Sequence, residues 1–193
     1  RYGIYLVAEA NVESHGIGYK PWQGGTGYVQ MWRKAIVERN VRQVKNYRNH
    51  PSILMWSLGN ESGQGENFRL AGLAVKELDP LRPLHYQCFQ GHETNSVGQA
   101  YDVADMHSRM YPGLEKMEDL AKNTKRPFFI CEYEHSMGNG LGNLQEYWDV
   151  IDRTDHFWGG CIWVWCDQAL WKDSGRYDAD GKPIRFLAYG GDF

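Results

Sequence analysis

Two glutamates stand at the exits of strongly apolar runs. Glu61 comes after Ile53-Leu54-Met55-Trp56 and lies between Asn60 and Ser62-Gly63, while Glu132 comes directly after Phe128-Phe129-Ile130-Cys131 and before Tyr133. A carboxylate at the mouth of a buried strand is unfavourable to desolvate unless it has a partner or a task. For either one alone, an ion pair with an arginine at the rim of the fold explains it as well. Two together point to chemistry: one carboxyl gives a proton to a leaving oxygen while the other stabilises or attacks the carbon, which is how paired carboxylates cleave a glycoside.

The elements that must hold such a pair read as alternating strands and helices, the pattern of parallel strands joined by crossover helices. Strands are expected over 3–11, 52–60, 84–89, 103–106, 127–133 and 160–165. Helices are expected over 29–47, 67–78, 114–122 and 141–154. In the first helix Met31, Trp32, Ile36, Val41 and Val44 recur at a roughly helical period. His50-Pro51 and Asp79-Pro80 stop the first two helices, because a residue before proline avoids the helical region. The strands are nearly continuous in apolar residues, so both faces should be covered, as in a barrel or a doubly wound sheet. The polar clusters all follow strand ends: 9–15, 60–62, 132–135 and 167–168. A (β/α)8 TIM barrel collects its active site there. A dinucleotide-binding sheet would show a glycine-rich phosphate turn after its first strand, and none is present.

A chain of 193 residues with 42% hydrophobic residues can bury one core, which gives one domain. With 21 basic against 24 acidic residues it has no basic stripe for releasing counterions, so no nucleic-acid partner is expected. No apolar run reaches the roughly eighteen residues of a membrane span, so no membrane partner is expected either. Cys88, Cys131, Cys161 and Cys166 lack paired spacing and three lie in apolar runs, which predicts buried free thiols and favours a cytoplasmic over a periplasmic location. The eight tryptophans, twelve tyrosines and seven phenylalanines suit sugar faces, although aromatics fill cores more often.

Six blocks carry a resemblance that covers essentially the whole chain. They are Glu9-Ala10-Asn11-Val12-Glu13-Ser14-His15-Gly16, Arg48-Asn49-His50-Pro51-Ser52, Trp56-Ser57-Leu58-Gly59-Asn60-Glu61-Ser62-Gly63, Cys131-Glu132-Tyr133-Glu134-His135-Ser136-Met137-Gly138-Asn139, Trp163-Val164-Trp165-Cys166-Asp167-Gln168 and Tyr189-Gly190-Gly191-Asp192-Phe193. In this order they resemble the barrel of the large bacterial β-galactosidases of glycoside hydrolase family 2. Only 19–27 and 87–101 align poorly.

The resemblance implies a partial (β/α)8 barrel in which this chain supplies strands 3 to 8, so that 1–193 is the C-terminal three-quarters of a catalytic domain from a longer enzyme. It implies retaining hydrolysis of terminal β-D-galactosides such as lactose, through a covalent galactosyl-enzyme. Glu61 would be the general acid and then the general base, and Glu132 the nucleophile. Asn60 would bond the sugar 2-hydroxyl, Tyr111 would orient the nucleophile, His135 would contact galactose hydroxyls, and Trp163 would floor the sugar site with a cis bond to Val164. Glu13, His15 and Glu61 would hold Mg2+. A hard cation keeps several waters and takes few protein ligands, which suits three residues. The resemblance leaves Na+ as an optional ion of the parent enzyme, with ligands outside this chain, and implies that the parent is a homo-oligomer.

Three rivals are distinguishable. A β-glucuronidase or β-mannosidase of the same clan shares both glutamates but not the Glu13/His15 pair with the long 132–139 block. A metal-dependent hydrolase would use His15, His50, His85, His92 or His107, and these lack His-Glu-x-x-His spacing. A fragment inactive without its parent chain would show no turnover where the parent does.

Overall fold

A computed structural model describes residues 2–15, 17, 25–87, 103–124, 126–135, 142–164, 166 and 168–189. Among the described residues the first six strands and the four helices run in the order β1 (Leu6–Glu9), α1 (Gln30–Tyr47), β2 (Ile53–Ser57), α2 (Glu66–Leu78), β3 (Leu84–His85), β4 (His107–Met110), α3 (Leu114–Asn123), β5 (Phe128–Tyr133), α4 (Leu144–Asp152) and β6 (Phe157–Ile162). They pair in parallel as two separate ladders, β1-β2-β3 and β4-β5-β6, and do not form a closed barrel among the described residues. A final antiparallel hairpin, β7 (Leu170–Tyr177) and β8 (Pro183–Ala188), stands apart from both.

Alternation along each strand gives it two faces. Trp56, Leu58 and Leu84 pack with Ile36, Val44, Phe68, Ala71 and Val75 of α1 and α2. Phe128, Ile130 and Phe157 pack with Met117, Tyr147, Val150 and Ile151 of α3 and α4. On the opposite faces Met55, Met106 and Phe129 meet, with Val7 and Cys131 against them, and this cluster joins the two ladders.

Several expectations shift. The strand expected over 103–106 forms instead at His107–Met110: Val103, Ala104 and Met106 are buried, but pairing with β5 starts at His107 opposite Phe128. An apolar run marks burial, while a ladder needs only free backbone, which the polar His107-Ser108-Arg109 supplies. Similarly, 160–165 becomes Phe157–Ile162. Gly160 does not interrupt that strand; a Cβ there would lie 2.8 Å from the Ile130 carbonyl oxygen, so glycine permits the close pairing. The β3 strand covers only the first two residues of 84–89, and 88–89 fall outside the described residues.

In α1 the buried side chains are Ile36, Asn40, Gln43 and Val44, whereas Met31 and Trp32 face outward. The two amides are there for the sheet: Asn40 Nδ2 donates to the carbonyl of Leu58 at 3.2 Å and Gln43 Nε2 to that of Ser57 at 3.0 Å. Buried thiols were also expected, but Cys131 is half-buried and Cys161 and Cys166 are exposed, all three free. Cys161 lies on β6, which has no further neighbour among the described residues. No helix of the described residues is long and apolar enough to cross a membrane.

The hairpin over 170–188 was not expected, since Leu170-Trp171-Lys172-Asp173 does not alternate cleanly. Its signal was the turn pair Asp180-Gly181, with Gly181 at φ +76°.

At the end of the ladders away from the carboxylates, Asp79 gathers Trp56 Nε1, the Arg82 guanidinium and the backbone N–H groups of Leu81 and Arg82. Arg82 in turn donates to the carbonyls of Ile53, Arg48 and His50. Burial alone would raise the Asp79 pKa, but these donors outweigh it and hold the carboxyl below its ordinary range. Asp79→Ala should destabilise the protein by about 2–4 kcal/mol at neutral pH, read from denaturant unfolding, because it leaves buried donors unpaired. With the folded pKa lowered, the Asp79 contribution is complete above the ordinary carboxylate range and fades as pH falls through the lowered value.

Candidate active site

The Asn40 and Gln43 amides pin the exit of β2, so the chain leaves the ladder in a set direction. Gly59, at φ +137°, then brings the backbone within a Cβ's reach of the Val12 carbonyl, a conformation and a proximity that glycine alone allows. There the Asn60 N–H donates to Val12 O at 2.9 Å and Asn60 pairs with Glu13 as an isolated parallel bridge. A second tie runs from Ser14 Oγ to Thr26 Oγ1 at 2.8 Å and from Thr26 to the Ser62 carbonyl at 3.3 Å. The loop after β1 is thereby held against the loop after β2, and His15 Nε2 lies 3.1 Å from Glu61 Oε2.

Glu61 itself has φ +35°, a left-handed backbone uncommon for glutamate, and its N–H donates to Gln87 Oε1 at 3.2 Å. Gln87 is a site residue that sequence reasoning missed. Its signal was its place just beyond the β3 exit, where the other polar clusters also lie.

On the second ladder, Tyr111 follows β4 with φ +48° and Glu134 follows β5 with φ +51°, so three strand exits carry left-handed residues. Such outliers gather where a surrounding structure dictates the backbone. Tyr111 is held twice to Glu132: its N–H donates to the Glu132 carbonyl at 2.8 Å and its phenol to Glu132 Oε2 at 2.8 Å. The Trp163 N–H donates to the Tyr133 carbonyl at 3.0 Å, and the Trp163–Val164 peptide is cis, as the resemblance implies. The exposed His135 ring lies 6.1 Å from that of Tyr111.

Burial raises the pKa of Glu132; the Tyr111 phenol opposes this, the negative charges of Glu61 and Glu13 add to it, and His135 offsets a little. Tyr111 is raised as well, first by burial and then by its bond to the carboxylate, so it stays a phenol and a donor. The structure therefore brings together Glu61, Glu132, Tyr111, His135 and His15, with Asn60 and Trp163 on the adjoining backbone. Among the described residues, Glu13 does not complete a cluster of three metal-binding side chains with His15 and Glu61. Two of the three expected ligands touch, and Glu13 stands beside them through its backbone pairing with Asn60.

The family model for the TIM barrel domain of glycosyl hydrolases family 2 matches residues 1–193. The chain belongs to this family. A β-galactosidase of Pectobacterium atrosepticum is 41% identical over 204 residues, covering 100% of this chain and 18% of that protein. One from Priestia megaterium is 39% identical over 197 residues, covering 100% and 18%. The family 2 chain thus spans about a fifth of the length of the curated relatives it matches. Among solved structures, a family 2 β-galacturonidase from Eisenbergiella tayi bound to galacturonate has a TM-score of 0.54 at 18% identity, covering 69% of this chain and 30% of that one. A Ruminococcus gnavus β-glucuronidase has a TM-score of 0.52 at 19% identity, covering 68% and 29%. These likenesses place the chain in the TIM-barrel fold.

Proposed function

We propose that this chain supplies strands 3 to 8 of the catalytic barrel of a β-galactosidase and that Glu61 and Glu132 perform retaining hydrolysis of terminal β-D-galactosides. The observation that carries the reading is the Tyr111–Glu132–Glu61 arrangement: two carboxylates close enough for the charge of one to raise the pKa of the other, with a phenol holding the second. Identity to named β-galactosidases across the full chain supports galactose over a uronic acid, since the uronidase likenesses are below 25% identity and speak for the fold.

In the first step a Glu132 oxygen attacks the anomeric carbon as its bond to the aglycone oxygen breaks, and Glu61 gives its proton to that oxygen. In the second, Glu61 takes a proton from water, whose oxygen attacks the same carbon and frees Glu132 as a carboxylate. Two inversions leave the β configuration. The Tyr111 phenol keeps one Glu132 oxygen occupied, leaving the other for attack. Asn60 and His135 would bond sugar hydroxyls and Trp163 would stack under the ring. Mg2+ would take His15 and Glu61, with Glu13 from the neighbouring backbone position, and would supply positive charge beside the proton carrier. The parent chain is proposed to be a homo-oligomer.

The test is to incubate the full-length protein with a 2-deoxy-2-fluoro-β-galactoside, whose glycosyl-enzyme hydrolyses slowly, and to map the label by peptide mass. Label on Glu132 is the expected result, and label on any other residue sinks the mechanism. Rates on nitrophenyl galactoside, glucuronide and mannoside decide the sugar.

Tyr111→Phe should lower kcat/KM roughly ten- to hundredfold, the value of one hydrogen bond to a charged group. It should also move the acidic limb of the pH profile upward. Glu132 must be ionised to attack, the phenol favours the ionised form, and removing it raises the pKa. Activity is then lost at a higher pH than in the wild type.

A further inference from the structure

Beneath the two carboxylates runs a row of polar side chains that the proposed reaction does not use. Glu9, Ser57 and His85 stand level across β1, β2 and β3, with Glu9 opposite Ser57 and Ser57 opposite His85. The Ser57 hydroxyl donates to Glu9 Oε2 at 2.7 Å. Its proton being committed there, its lone pairs accept from His85 Nδ1 at 2.9 Å, which leaves Nε2 to accept the Ser108 hydroxyl at 2.7 Å. Ser57, His85 and Ser108 are buried, and Phe129 presents its ring edge-on to His85 at 5.5 Å. Burial drives the His85 pKa down to about 3, so the imidazole is neutral and must donate at one nitrogen and accept at the other.

The position of this histidine in the topology matters. β3 and β4 belong to different ladders, so among the described residues no run of strand pairing fixes one ladder against the other at that seam. Asp105 bridges it at the lower end, where its N–H donates to Leu84 O at 2.9 Å and its Oδ2 accepts from Leu84 N–H at 2.8 Å. The His85–Ser108 bond bridges it nearer the carboxylates. Ser57 lies on the strand that leads to Glu61, His85 on the strand that leads to Gln87 and its bond to the Glu61 N–H, and Ser108 on the strand that leads to Tyr111 and hence to Glu132. Apolar packing across the seam tolerates sliding, whereas a buried, fully paired imidazole accepts one geometry.

We infer that His85 is a positioning residue that ties the strand leading to Glu61 to the strand leading to Tyr111 and Glu132, and so sets the proton carrier against the nucleophile. The inference rests on the glycosidase reading above. Tyr111, Glu132, His135 and Trp163 all belong to the β4-β5-β6 ladder, and Asn60 and Glu61 to the other. A sugar held over the β4-β5-β6 ladder keeps its nucleophile when the tie is cut. What it loses is the alignment of Glu61 with the leaving oxygen.

The test compares kcat/KM for phenyl and 2,4-dinitrophenyl β-galactoside in the full-length protein. The first needs its leaving oxygen protonated and the second does not. His85→Phe, which keeps an aromatic ring, somewhat larger, but removes both nitrogens, and Ser108→Ala, which deletes the bond across the seam together with the Ser108 contact to Cys131 inside the β4-β5-β6 ladder, should each lower the phenyl value about ten- to hundredfold and the dinitrophenyl value about threefold or less. The ratio of the two values does not depend on the fraction folded, because misfolded enzyme removes both rates alike. Ser108→Ala decides the matter if His85→Phe does not fold. An unchanged ratio in Ser108→Ala, whether both rates fall together or neither falls, overturns the inference while the glycosidase reading stands. A wild-type protein that cleaves neither galactoside overturns that reading, and the inference with it.

Discussion

Glu132→Gln in the full-length protein is expected to reduce turnover of nitrophenyl galactoside by about four to six orders of magnitude with the fold intact. The amide is close in shape to the carboxylate and still accepts the Tyr111 phenol, so the 2.8 Å contact survives. An amide oxygen is a poor nucleophile and leaves no covalent intermediate, so both steps fail together. Glu132→Gly extends the test. It opens space where the carboxylate stood, and added azide can attack the anomeric carbon from that face. The product should be α-galactosyl azide, because a single displacement inverts the centre. A β-azide, or full activity in Glu132→Gln, would assign the attacking face to another group.

The second large effect is at Glu61. Glu61→Gln should lower kcat/KM for phenyl galactoside by about two to four orders of magnitude, the span of general acid catalysis, and should leave 2,4-dinitrophenyl galactoside within about tenfold of wild type. The reason is chemical. Dinitrophenolate departs without a proton, so the first step no longer needs Glu61. The second step does need it, and kcat on the activated substrate should fall as glycosyl-enzyme accumulates, visible as a burst of dinitrophenolate. Azide should relieve that burst by attacking without a base and should yield β-galactosyl azide, the opposite anomer from the Glu132→Gly reaction. The pair of azide products separates the two roles with one reagent. Equal losses on both substrates would remove Glu61 as the proton carrier.

Much of the frame was legible in the residues. The succession of apolar strands and helices, the stops at His50-Pro51 and Asp79-Pro80, and the placing of Glu61 beyond the end of β2 and of Glu132 near the end of β5 all follow from local pattern, because burial leaves its period in the sequence. The helix faces were less legible. Asn40 and Gln43 broke the apolar period of α1, yet they are the residues that face the sheet, since they satisfy the carbonyls of Leu58 and Ser57 where the ladder ends. Polar side chains serving a strand exit look like surface residues in a pattern of hydrophobicity.

By itself, then, the sequence determined which strands carry carboxylates at their ends, which residues flank them, and which family they belong to. Each of these depends on neighbours in the chain or on ordered blocks of residues. Only the tertiary structure decided which strand exits face one another, that Gln87 takes the Glu61 N–H, that Tyr111 rather than another phenol meets Glu132, and that His85 spans the seam between Ser57 and Ser108. Those contacts join residues 21 to 28 positions apart. They depend on ladder register and on the crossing of two sheets, and a hydrogen bond of 3 Å has no counterpart in local periodicity.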